Sequence, residues 1–165
     1  MTQQFNLNEA LKQAIQTEKD TMDFYKRAAE ITENPRGKKV FEVLAGDERE
    51  HASHFFHIYP GKDLGSFDEF MARPPQADLT MLKDLEQALK DRGTEQKAME
   101  IAMREELELE KKLRSTAAQV SDPKVKAVFE KMAKETNDHY QIIESEYAHI
   151  MGMVHETDIN IYVRE

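Results

Sequence analysis

The chain has 165 residues, of which 33% are charged, with a net charge of -9 and no cysteine. That length suits one domain with a real core. The acidic balance without a Lys/Arg stripe argues against nucleic-acid binding, and the lack of thiols excludes disulfides, thiolate zinc sites and iron held by Cys-x-x-Cys pairs.

Scarce Gly and Pro among abundant Ala, Glu, Lys, Leu and Met predict an all-α fold. The start, Met-Thr-Gln-Gln-Phe-Asn, is polar, and no apolar run reaches the ~18 residues of a membrane span, so a cytoplasmic protein is expected. Asn6 and Glu9 form a capping box that opens a helix running to about Thr32. Its apolar stripe, Leu11, Ile15, Glu18, Met22, Tyr25 and Ala29, puts Glu18 on the core seam. Glu33-Asn-Pro-Arg-Gly37 reads as a turn. The second helix carries Phe41, Leu44, Glu48, His51, Phe55 and Ile58 on one face, so a carboxylate and an imidazole stand where leucines belong. Buried ionisable groups are costly unless paired or metal-bound. Glu18 and the Glu48/His51 pair are each roughly 23 Å from the turn at about 1.5 Å per residue, which places them level across an antiparallel hairpin.

Tyr59-Pro-Gly61 ends the hairpin, and a crossover over about residues 60–93 follows. Within it Ser66 to Glu69 can cap a short helical turn, while Leu79, Leu82, Leu85 and Leu89 mark an amphipathic helix closed by Gly93. A crossover of this length lets the second and third helices of a bundle run parallel.

From Thr94 the chain repeats itself. Residues 9–51 laid without a gap on 97–139, an offset of 88, give eleven identities, including Glu18/Glu106, Pro35/Pro123, Phe41/Phe129 and His51/His139. The third stripe reads Met99, Met103, Glu106, Leu113, Ala117 and Val120; the fourth reads Val125, Phe129, Met132, Thr136, His139, Ile143 and Ile150. Thr136 stands where the repeat calls for a second Glu. The last helix is predicted to end at Gly152, and the tail, 153–165, alternates apolar and polar residues as a short strand or arm would.

With 21 Glu and six His in the chain, roughly one Glu-x-x-His arises by chance, so that motif alone is weak. Five positions converging on one level of a bundle are more specific. Carboxylate-bridged di-iron and di-manganese sites take one Glu from each of two helices and a Glu-x-x-His from each of the other two. Glu18, Glu48, His51, Glu106 and His139 fill five of those six positions. Glu146-x-x-His149 lies out of register with Glu106, and His54 and His57 read as edge or surface residues.

On these residues, with Tyr25 seven positions after Glu18, the chain resembles the rubrerythrin and ferritin-like family over residues 6–59 and 94–150. The resemblance implies a ferritin-like four-helix bundle of two hairpins, about 6–59 and 94–152. Glu18 and Glu106 would be terminal ligands, Glu48 a bridge, and His51 and His139 one imidazole per metal. Tyr25 would sit beside the cluster in a catalytic role, or simply pack in the core. The implied cofactor is two iron ions, with zinc or manganese as alternatives, and the implied activity is reduction of peroxide or dioxygen by a homodimer. Electrons would come from an external donor protein. Two residues depart from the pattern: Thr136 removes the second bridging carboxylate, and Leu109 replaces the extra Glu of peroxide-reducing rubrerythrins. Glu110 and Glu135 are possible substitutes, or else solvated edge charges. Two divalent ions carry +4 against -3 from three carboxylates, so a hydroxide, a substitute Glu or a vacant position must balance the charge. The rival expectation is a metal-binding module without turnover.

Overall fold

A computed structural model describes residues 4–90 and 93–152, so the predicted arm at 153–165 lies outside the described residues. Four long helices, α1 (Leu7–Ile31), α2 (Pro35–Ile58), α5 (Thr94–Gln119) and α6 (Pro123–Ile150), enclose one core, with two short helices, α3 (Phe67–Met71) and α4 (Thr80–Ala88), in the crossover. This is the all-α bundle of two helical hairpins expected of a ferritin-like chain.

Three of the four long helices, α1, α2 and α6, start where their capping chemistry directs. The Asn6 side chain accepts from Glu9 N–H at 3.1 Å. Asn34 and Asp122 do the same ahead of Pro35 and Pro123, accepting from Arg36 and Gly37 (2.9 and 3.3 Å) and from Lys124 and Val125 (2.8 and 3.3 Å). The predicted turn therefore ends sooner than expected: Arg36 and Gly37 belong to the first turn of α2. Gly37 is buried and an added β-carbon there would collide with the Glu95 carboxylate, so the starts of α2 and α5 meet. Arg36 also binds Glu146, near the end of α6, at 2.8 Å. Both contacts show that α2 and α5 run parallel and that the crossover traverses the bundle.

The crossover departs from its sequence pattern. α4 stops at Ala88, Leu89 is its exposed cap, and Gly93 lies beyond that cap in a left-handed conformation (φ +83°) directly before α5. The buried face of α4 is Met81, Leu85 and Ala88 rather than four leucines. A salt bridge from Arg27 to Glu86 (2.6 Å) ties it to α1. Under this cover α1 is buried from Thr21 to Tyr25 without interruption, and Lys19 pairs with Asp23 at 2.6 Å out of solvent.

The main core runs through Leu11, Ile15, Met22, Phe41, Phe55, Met99, Phe129 and Ile143, all buried. Phe55 of α2 and Phe129 of α6 meet with ring centroids 4.9 Å apart. Met103, Val125 and Ile150, assigned to stripes by periodicity, are only half-buried.

Candidate metal centre

Midway along the four long helices the apolar core gives way to charge. Glu18 from α1, Glu48 and His51 from α2, Glu106 from α5 and His139 from α6 are all buried, none above 4% exposed. His139 Nδ1 lies 2.8 Å from Glu48 Oε1 and 3.7 Å from Glu106 Oε1. His51 Nδ1 lies 3.6 Å from both Glu18 Oε2 and Glu48 Oε2. The two imidazoles stack, with centroids 5.1 Å apart and planes 10° from parallel. Among the described residues, Glu48, His51 and His139 bring one donor atom each within 4.8 Å of one another. All five sequence-predicted ligands thus meet.

Several of these groups lack hydrogen-bond partners. Glu18 Oε1 and Oε2, Glu48 Oε2, His51 Nδ1 and Glu106 Oε2 are all buried and unpaired. Leaving a buried polar group unsatisfied costs about 1–3 kcal/mol, and more for charged groups. Ligands about 2.1 Å from one ion stand roughly 3.0–3.4 Å apart at 90–109°, close to the 3.6 Å separations around His51. The donor set, imidazole nitrogen with carboxylate oxygen, fits iron, manganese or zinc. The residues present therefore fit a divalent metal.

Without metal, protons take its place. Burial, then the neighbouring Glu48, holds the Glu18 carboxyl well above the usual range. Burial pulls the His51 imidazole down, but Glu18 and Glu48 outweigh it and push it up to about 10. At His139 burial is likewise overcome, by Glu106 and Glu48, and the ring rises to about 11. Both imidazoles are cations at neutral pH in the metal-free protein, each beside buried carboxylates.

Residues 9–147 match the sequence profile of the Rubrerythrin family. The chain belongs to that family. It is also similar to "Uncharacterized protein YhjR" of Bacillus subtilis (strain 168), at 44% identity over 52 residues, which is 32% of this chain and 36% of that protein's length. No solved structure matches.

This rubrerythrin-family centre has two unequal halves. Thr136, at the sixth ligand position, is fully buried, and its hydroxyl donates to its own helix at Met132 O (2.7 Å). It supplies no charge and no free donor to the cluster. Leu109 is likewise apolar and buried. The Tyr25 hydroxyl donates to Glu106 Oε1 at 2.5 Å, so on the α5/α6 side one carboxylate oxygen is already engaged. Burial and the charge of Glu106 raise the Tyr25 phenol well above its ordinary value.

The two possible substitutes part company. Glu110 is not available: Asn137 donates to its Oε1 at 2.9 Å and Arg114 to its Oε2 at 2.8 Å, and despite partial burial these donors hold its carboxyl below the ordinary range. Glu135 Oε2 is buried, lacks a hydrogen bond and stands 4.0 Å from His51 Nε2, on the side of the ring facing away from the ligands. Asp47 occupies the equivalent place on the other ring, with Oδ2 at 3.2 Å from His139 Nε2. A carboxylate on the far nitrogen fixes the tautomer that leaves Nδ1 free to ligate. Periodicity missed Asp47 because it lies beside the stripe, although the 88-residue repeat aligns it with Glu135. Glu146, read as out of register, pairs with Arg36, and His149 is exposed.

Proposed function

We propose that the protein is a metal-binding module of the rubrerythrin family that holds one divalent ion tightly and a second weakly. The observation that carries this is the placement of unpaired donors. Four of the five unpaired atoms on the ligand residues, both oxygens of Glu18, Glu48 Oε2 and His51 Nδ1, lie on the α1/α2 side. The α5/α6 side offers Glu106 Oε2 and His139, with Tyr25 on the other Glu106 oxygen and a threonine in place of a carboxylate. The α1/α2 side thus offers one ion both oxygens of Glu18, one oxygen of Glu48 and an imidazole. Equilibrium titration of the metal-free protein with Mn(II) or Zn(II) tests this: one tight equivalent and a weaker second are expected, and no tight equivalent overturns it.

A second reading, an oxidoreductase acting on peroxide or dioxygen, is favoured by Glu48. Its Oε1 faces His139 and its Oε2 faces His51, as a carboxylate shared by two ions would. Bound ferrous ions would supply the electrons that cleave an O–O bond, and zinc would supply Lewis acidity alone. The chain's own part is to flank the cluster along α2 and α6 with the buried Phe41, Phe55 and Phe129, hold a phenolic proton at Tyr25 and orient the His139 imidazole from outside through Asp47. Without cysteines for an internal iron-thiolate relay, the reductant would be another protein. Peroxide-dependent oxidation of the iron-loaded protein, followed by its visible spectrum, separates this from simple metal binding.

A further inference from the structure

The outer nitrogens of His51 and His139 do not end in packed side chains. They form the floor of a surface opening of about 190 Å³. Its walls carry four carboxylates, Asp47 and Glu50 from α2 and Glu135 and Asp138 from α6, and among the described residues no Lys or Arg lines it. The four are placed by the internal repeat: the 88-residue offset sends Asp47 to Glu135, Glu50 to Asp138 and His51 to His139. Each half therefore sets an acid four residues and one residue before its histidine, and the bundle brings the two sets together around one hole.

Two side chains here lack the partners that a closed salt-bridge network would provide. His51 is only 3% exposed, lines the opening, and its outward Nε2 makes no hydrogen bond, the nearest carboxylate there being Glu135 at 4.0 Å. Glu135 Oε2 is buried in the same wall with no hydrogen bond. A polar floor with the unused His51 Nε2, ringed by carboxylates, suits a cation that arrives hydrated.

We propose that the opening framed by Asp47, Glu50, Glu135 and Asp138 captures hydrated divalent cations and passes them inward past His51 and His139, whose opposite edges face the buried centre. Its negative wall raises the local cation concentration, and the oxygen donors replace part of the hydration shell before the ion meets nitrogen. The port rests on the metal-binding reading above, because it needs a centre to fill. Glu50 and Asp138 are the residues to vary, since both are exposed and neither touches the five buried ligands.

The test is stopped-flow loading of the metal-free full chain with Co(II), whose visible absorption rises as nitrogen ligands bind, at low and high ionic strength. In the double variant Glu50→Lys/Asp138→Lys loading should slow by roughly tenfold or more at low salt, with the salt dependence flattened or inverted and the final stoichiometry unchanged. Glu50→Gln/Asp138→Asn should fall between that variant and wild type. Equal loading rates in all three proteins overturn the port and leave the centre standing. Loss of bound Co(II) at equilibrium in the Gln/Asn variant also overturns it, because the acids would then belong to the site itself. Failure of the wild type to take up Co(II) instead defeats the metal-binding reading.

Discussion

Metal affinity should rise steeply with pH, because the metal-free centre is held together by protons that an ion must displace. At pH 7 His51, pushed up to about 10, is a cation, and burial holds the Glu18 carboxyl well above its usual range. Filling the Glu18, Glu48 and His51 position therefore releases one proton from His51 and up to one more from Glu18. Each proton contributes about tenfold, or 1.36 kcal/mol, per pH unit. The first binding constant should thus increase between about ten- and a hundredfold from pH 6 to pH 7. Titration calorimetry in two buffers of different ionisation enthalpy counts the protons directly. The metal-free protein should show the opposite trend. Folded-state pKa values raised from 6.5 to about 10 and 11 give stability that is fully present below pH 6.5 and lost as pH climbs through those values. Raised Glu18 acts in the same sense. Binding without proton release, or affinity that falls with pH, would refute this account of the cluster.

Tyr25→Phe removes the donor to Glu106 Oε1; the metal-free protein should lose about 1–3 kcal/mol of stability by thermal or denaturant unfolding. The freed oxygen should tighten the weaker metal position, and an unchanged second binding constant would show that Tyr25 does not compete with metal there. Thr136→Glu restores the charge that the repeat lacks and should tighten the second equivalent in a Mn(II) titration; a weaker second equivalent would mean that the pocket is already crowded with negative charge. Single His51→Ala and His139→Ala variants should differ, the first removing the tight equivalent and the second the weak one, as read by metal content after dialysis.

The helices of the bundle were legible because their signals are local. Asn6, Asn34-Pro35 and Asp122-Pro123 mark starts that depend only on the adjoining backbone, and seams broken by Glu18, Glu48, His51, Glu106 and His139 can be read from spacing alone. The internal repeat then set the two hairpins level. What escaped depends on contacts made across the bundle. α4 keeps Met81 and Ala88 inside rather than Leu89 because it packs on α5 and α1, a placement that no single-helix pattern encodes. Asp47 serves His139 rather than its own neighbour His51, and that choice follows from how α2 and α6 pack. Glu110 and Glu135 stand equally beside their stripes in sequence, yet Arg114 and Asn137 claim one while the other lines a surface opening. Thr136 was visible as a departure, but the bond that turns its hydroxyl proton onto Met132 O was not.

Glu48 touches both histidines and stands between the two halves of the centre, so its removal bears most directly on whether the cluster binds metal. The decisive measurement is the metal content of wild type and Glu48→Ala after equilibrium dialysis against Mn(II) or Fe(II) under anaerobic conditions, with helicity followed by circular dichroism on the same samples. The account predicts at least one tightly held equivalent in the wild type and none in the variant, at nearly equal helicity, because the apolar stripes rather than the metal hold the bundle. Stoichiometric metal retained by a folded Glu48→Ala variant would contradict it.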